Sequence, residues 1–209
     1  MRIRNILICP VLTACLSFIA AAQAPAPASP PAKVAPAKSL DALLTGLEKD
    51  LVPLAEAMPA DKYGFAPSAD LFKSGTNADY KGVRTFAQMI AHLTQANYFF
   101  SLGMQGVQSP DEATGAKIKA VGTLTAKDDL VKALKDSFAS AHTAIATLTP
   151  ENAWDHAGRG PDDTRAELVG YAVAHARDHY GQLVEYLRMN GIVPPASQGR
   201  PLANPDKAN

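Results

Sequence analysis

The chain carries no excess of charge of either sign. Its 20 basic and 20 acidic side chains give a formal net charge of 0 over 209 residues. Proteins that bind DNA or RNA normally cluster lysine and arginine against the phosphates, so this balance argues against a nucleic-acid-binding protein. The sequence also has no G-x-G-x-x-G, Walker or G-x-S-x-G motif. Nucleotide binding and serine-hydrolase chemistry therefore have no local support.

The chain has only two cysteines, and both lie in one segment near its start. Cys9 and Cys15 lie in an apolar run that follows two arginines and ends in three alanines at Ala22. This pattern predicts a secretory signal peptide over residues 1–22, and hence a periplasmic or secreted protein. Cleavage there would leave a mature chain without a thiol. Disulfides, cysteine-ligated metal sites and cysteine nucleophiles would then be excluded.

Two alternatives would keep this segment on a membrane. The apolar run, residues 6–22, contains a proline and lies at the short end of the roughly 17 to 25 residues that span a bilayer. Residues 12–15 resemble a lipoprotein acylation box, but the apolar run continues well past Cys15. We therefore expect membrane contact only if the segment stays uncleaved or is lipidated.

Composition divides the rest of the chain. Residues 23–38 contain five prolines and six alanines, which predicts an extended linker. The polar, proline-containing residues 198–209 read as a flexible tail. The folded domain is therefore expected over residues 39–197.

Four segments of this domain have apolar residues three or four positions apart, the spacing of one helix face. They run from Ser39 to Met58, from about Val83 to Gly103, from Thr125 to the residues before Pro150, and from Thr164 to Asn190. No stretch alternates with period two for long enough to form a sheet. The expected fold class is all-α, a four-helix bundle, with long non-helical connections over residues 59–82 and 105–124.

Local signals mark several of the expected helix ends. Thr125 with Asp128, and Thr164 with Glu167, resemble capping boxes that would begin the third and fourth helices. Pro53 lies inside the first pattern and is expected to kink or end that helix.

Two histidines occupy positions where the fourth helix should be apolar. His175 and His179 are four residues apart, so both imidazoles could reach one metal ion. Burying each without a partner would cost about 1 to 3 kcal/mol. A third ligand would have to come from another helix. His92, on the second helix, is the best candidate, and His142, on the third, is its rival.

The remaining histidine, His156, falls in a loop. An H-x-x-x-H pair is also compatible with core histidines that only form hydrogen bonds. The spacing alone leaves both readings open.

Several strings recur together in a recognisable order. They are VRTF at 83–86 leading to His92, NYFF at 97–100, HARDHYGQ at 175–182 and NGIVPP at 190–195. From the first helix to Pro195, the chain resembles the DinB-like superfamily. That resemblance implies a four-helix bundle of up-down-down-up type, often dimeric. It also implies a divalent metal, zinc or nickel in first place and iron or manganese after them, held by His92, His175 and His179.

A three-histidine site with open positions lowers the pKa of bound water toward about 7 or activates a thiol. Members of the superfamily resemble thiol transferases, hydrolases or isomerases, so the fold leaves the reaction open. Export would separate the protein from cytosolic thiols. We therefore favour metal-dependent hydrolysis of a small molecule that the sequence does not identify.

Three other functions compete with this one. The histidines could be structural in a stress or interaction module, or the metal could be stored or sensed without turnover. A haem protein could use Met89 or Met104 as an axial ligand. The sequence assigns no general base or nucleophile, and Asp178 is expected to be solvated or to orient a ligand.

Overall fold

The structure is a computed structural model and describes residues 33–71, 73, 79–158, 160 and 163–199. The expected signal peptide, most of the linker and nearly all of the tail lie outside these residues. Within the described part of the chain, none of the helices has the length and apolarity needed to cross a membrane.

The described residues form five α-helices and no strand, which confirms the all-α class. The helices are α1 Pro36–Ala57, α2 Phe86–Met104, α3 Glu112–Val121, α4 Lys127–Ala146 and α5 Arg165–Met189. Short 3-10 turns lie at Ala60–Lys62, Ala69–Leu71 and Pro195–Ser197. α1 and α2 each pack against α4 and α5, and α3 packs against α2. The apolar faces of the four long helices meet in one buried core.

Capping boxes begin α2 and α5. The Thr164 hydroxyl accepts a hydrogen bond from the amide of Glu167, whose carboxylate accepts one from the amide of Thr164, as predicted. Thr85 and Gln88 make the same pair of contacts at α2. These caps fix where the two helices begin.

The capping box predicted for α4 is wrong. The helix begins at Lys127, two residues later than predicted, with Ala126 at the N-cap and no side-chain hydrogen bond to the first turn. Asp128 and Asp129 lie instead within that first turn. Their negative charges stabilise the positive end of the helix dipole without a cap.

α1 begins earlier than predicted and ends within one residue of the predicted Met58. It begins at Pro36, so residues 36–38 are helical and not extended linker. Proline suits this position because its missing N–H would be unpaired in a first turn. Pro53 does not end the helix, which continues to Ala57. Complete burial of Leu51 and Leu54 compensates for the lost backbone hydrogen bond.

The connection over residues 105–124 is not free of helix, because α3 lies within it. The Asp111 side chain accepts a hydrogen bond from the amide of Thr114 at 2.7 Å and caps its N-terminus. Only Ile118 and Val121 of α3 are buried, which leaves too few apolar positions for a periodic signal. Gln95 of α2 donates to the carbonyl of Ile118 at 3.0 Å and ties α3 to α2.

Two hydrogen bonds hold α2 and α5 together at opposite ends. Arg165, the first residue of α5, donates to the carbonyl of Met104 at the end of α2, at 2.6 Å. Tyr186, near the end of α5, donates its hydroxyl to the carbonyl of Arg84 just before α2, at 3.0 Å. The middles of the two helices therefore face each other.

Candidate metal centre

His92 from α2 meets His175 and His179 from α5 at the middle of this helix pair. The Nε2 atom of His175 lies 3.1 Å from Nε2 of His92 and 3.2 Å from Nε2 of His179. One nitrogen from each ring lies within 4.8 Å of the others. The three residues singled out in the sequence therefore form one cluster, and the cluster joins two helices.

This cluster fits a metal ion. A tetrahedral centre with metal–nitrogen bonds of about 2.0 to 2.1 Å separates its ligand nitrogens by about 3.3 Å. The separations of 3.1 and 3.2 Å are close to that value. An all-imidazole donor set suits zinc, nickel, copper and iron, so it does not select among them.

The protonation state of His92 favours ligation. Burial first, and then the positive charges of Arg84 and of the two other histidines, lower the pKa of His92 from 6.5 to about 4. The ring is therefore neutral at pH 7, and a neutral imidazole has a free lone pair for a metal.

A short chain of hydrogen bonds orients His179. The side-chain amide of Gln182 donates to Asp178 Oδ2 at 3.1 Å, which places its oxygen 3.2 Å from Nδ1 of His179. An amide oxygen only accepts, so Nδ1 donates and Nε2 keeps its lone pair. Asp178 Oδ2 also lies 3.9 Å from Nδ1 of His179, so Asp178 approaches the cluster directly as well as through Gln182, in agreement with an orienting role.

His142 and His156 lie outside the cluster. The ring of His142 bridges Asp41 through Nδ1 and Glu48 through Nε2, so both nitrogens are engaged between α1 and α4. Burial lowers its pKa, but the hydrogen bonds and charges of the two carboxylates outweigh burial and raise it. His156 contacts the carbonyl of Gly160 in a loop. Of the two candidates for a third residue beside His175 and His179, His92 lies in the cluster and His142 does not.

A cavity of about 360 Å³ opens beside the cluster. Its walls are formed by His92, Gln95, Ala96, Phe99, Phe100, Tyr171 and His175. Phe100 makes edge-to-face contacts with Tyr171 and His175, at centroid distances of 5.4 and 5.8 Å. The aromatic wall thus contacts a candidate metal ligand directly.

Sequence reasoning missed this wall as part of the site. A spacing signal was available, because Gln95, Ala96 and Phe99 lie three, four and seven residues after His92, and Tyr171 lies four residues before His175. Tyr98, the residue before Phe99, does not line this cavity: its ring is buried, and the Lys117 ammonium lies 5.3 Å from the ring centroid.

Comparison with known proteins adds one match. A search of curated proteins found no significant relative. The family model of the DinB superfamily matches residues 43–183, about two thirds of the chain, and this stretch includes all three clustered histidines. The chain therefore belongs to the DinB superfamily.

Proposed function

We propose that the protein is a metalloenzyme in which His92, His175 and His179 hold one divalent ion. Zinc or nickel is favoured over iron or manganese as that ion. The reaction proposed is hydrolysis, or group transfer, on a small molecule bound in the adjoining cavity. The observation that carries the proposal is the meeting of three Nε2 atoms, from two helices, at the wall of that cavity.

The chemistry would divide between the ion and the protein. A divalent ion in such a site supplies Lewis acidity and lowers the pKa of bound water toward about 7. The protein keeps His92 neutral by burial and fixes the tautomer of His179 through Gln182. Phe100 and Tyr171 contribute an apolar wall that excludes water from one side of the bound substrate.

A non-catalytic metal-binding role is the second candidate, and one observation favours it. Among the described residues, no carboxylate lines the cavity beside the cluster. The described part of this wall therefore holds no carboxylate that could accept a proton during hydrolysis, and metal storage or sensing needs none. A haem held between two of these histidines is disfavoured, because nitrogens about 3 Å apart leave no space for a porphyrin between the rings.

Turnover separates the two candidates. Metal-loaded wild type would be assayed with 4-nitrophenyl esters of increasing acyl size, beside His92→Ala and the loop control His156→Ala. Metal-dependent hydrolysis that His156→Ala retains and His92→Ala loses would support the enzyme. Stoichiometric metal uptake without turnover of any ester would favour storage or sensing.

We also propose that the four long helices form an up-down-down-up bundle. Supporting contacts pair Lys135, early in α4, with Glu56 at the end of α1, and His142, late in α4, with Asp41 near the start of α1. Such pairs are typical of antiparallel helices. The two contacts that join opposite ends of α2 and α5 favour the same relation for that pair.

The starts of α2 and α4 lie near each other in this arrangement. Tyr63 packs edge-to-face on Phe86, the first residue of α2, at 5.1 Å. Burial, followed by the charge of Asp128 in the first turn of α4, raises the pKa of the same tyrosine. These contacts support parallel α2 and α4.

Export and homodimer formation are proposed from the sequence and the resemblance alone. Cleavage of the expected signal peptide would give a mature chain that begins at Gln23. Intact-mass measurement of the exported protein checks the first proposal, since a chain that retains Met1 would contradict it. Light scattering of the same sample checks the second, because the mass of one chain would contradict a dimer.

A further inference from the structure

The cavity beside the three histidines is framed by exposed aromatic side chains. Phe99 is 50% exposed and Tyr171 is 59% exposed, although both belong to helices that pack on the core. Apart from His92 and His175, the residues that line this cavity are one amide, one alanine and three aromatic rings. None of these five is an acid or a permanent cation. Among the described residues, the walls apart from the two histidines therefore offer apolar contact, the amide of Gln95 and the hydroxyl of Tyr171, but no charged partner for an ionic group.

The surroundings of the cavity differ on its two sides. Phe99 also borders a cavity of about 100 Å³ whose walls include Leu102, Val107 and Pro110, so apolar surface continues on that side. Tyr171 also borders a cavity of about 230 Å³ lined by Asp163 and Glu167.

Asp163 and Glu167 place two carboxylates on the Tyr171 side of the cavity. Like charges a few ångströms apart repel one another strongly when partly shielded from water. A carboxylate or phosphate on a bound molecule would be disfavoured there. The apolar surface beyond Phe99 also offers no hydrogen-bond donor for an anion among its side chains except the amide of Gln108.

We infer that the site selects molecules with an uncharged aromatic or branched aliphatic group at the end away from the histidines and disfavours an anionic group at that end. Phe99 and Tyr171 act as the specificity-determining residues, because each contributes an exposed ring to one side of the cavity. The inference rests on the proposed function, since it assumes that the polar end of the ligand approaches the histidine cluster.

Three hydroxamates provide the probes, because the hydroxamate group chelates divalent ions whatever its substituent. Acetohydroxamate presents a methyl group, benzohydroxamate a phenyl ring, and 4-carboxybenzohydroxamate the same ring with a negative charge. Their affinities for the zinc-loaded full chain would be measured by isothermal titration calorimetry.

We expect benzohydroxamate to bind about tenfold more tightly than acetohydroxamate. This ratio corresponds to the removal of about half of the phenyl ring from water when the probe binds. The carboxylated ring should bind more weakly than benzohydroxamate, and added salt should reduce the difference, since salt screens exposed charges. The double variant Phe99→Ala, Tyr171→Ala should lose the preference for the ring while it keeps its metal content and its affinity for acetohydroxamate.

Trp154→Ala is the matched control, because Trp154 is 71% exposed but does not line the cavity. It should keep the wild-type preference. Equal binding of the methyl and phenyl probes by zinc-loaded wild type would overturn the inference and leave the metal site intact. Failure to retain zinc would overturn the inference and the proposed function together.

Discussion

The hydrogen bond between Gln182 and His179 offers a sharp test of how the cluster is organised. Gln182→Leu keeps a side chain of similar size but removes the oxygen that lies 3.2 Å from Nδ1 of His179. Groups that orient a metal-bound histidine typically contribute 10- to 100-fold to metal affinity. Gln182 is exposed, so water can replace part of the lost contact. We therefore expect a loss of about tenfold in zinc affinity, equivalent to about 1.4 kcal/mol.

Competition with a chromogenic zinc chelator at pH 7.5 would measure this loss. The double variant Asp178→Asn, Gln182→Glu is the matched control, because the carboxylate at 182 still accepts from Nδ1 of His179 and the amide at 178 can donate to it, so the affinity should be preserved. Asp178→Ala should weaken zinc binding less than Gln182→Leu, since Asp178 Oδ2 lies 3.9 Å from Nδ1 of His179 and the oxygen of Gln182 lies 3.2 Å from it. Thermal melts of the metal-free variants verify that each one folds. Wild-type affinity in a folded Gln182→Leu would refute the orienting role.

Two further predictions concern stability. In the folded protein the pKa of His142 is raised above its ordinary value of 6.5. The contacts of His142 with Asp41 and Glu48 therefore stabilise the fold fully below about pH 6.5. This stabilisation is lost as the pH rises through the pKa of the folded protein. Urea unfolding at pH 5.5 and 8.5 should show a larger loss for His142→Ala at pH 5.5; an equal loss at both would contradict the ion pair. The hydroxyl of Ser137 accepts a hydrogen bond from the buried side-chain amide of Asn97 at 3.0 Å. Ser137→Ala should therefore lower the free energy of unfolding by about 1 to 3 kcal/mol in the same assay. An unchanged free energy would show that the amide finds another partner.

Helices with strong local signals were predicted well. α2 and α5 combine long apolar faces with capping boxes, and the box at Thr164 was read correctly. α3 was missed because it buries only two side chains, although Asp111 marks its start. Of the two outcomes expected at Pro53, a kink or an end, the end does not occur, since tertiary packing of the last turn of α1 outweighs the preference of one residue.

The spacing of residues along the sequence predicted only part of the candidate site. Four residues between His175 and His179 were enough to place two imidazoles on one face. Spacing could not choose between His92 and His142, because that choice depends on which helices are neighbours. The contacts at Met104 and Arg84, far from either residue in the chain, align α2 with α5 and bring His92 to the pair. The resemblance to the superfamily also selects His92, on the basis of the order of the motifs.

The central claim is that the three histidines hold one metal ion. Its most direct test is metal analysis by plasma mass spectrometry of protein purified without a His tag, beside the triple variant His92→Ala, His175→Ala, His179→Ala and the control His156→Ala. The account predicts close to one divalent ion per chain in wild type and control, and loss of that ion in the folded triple variant. Wild-type protein that retains no metal after incubation with zinc, nickel, manganese and iron would contradict it and leave the cluster as a structural contact between α2 and α5.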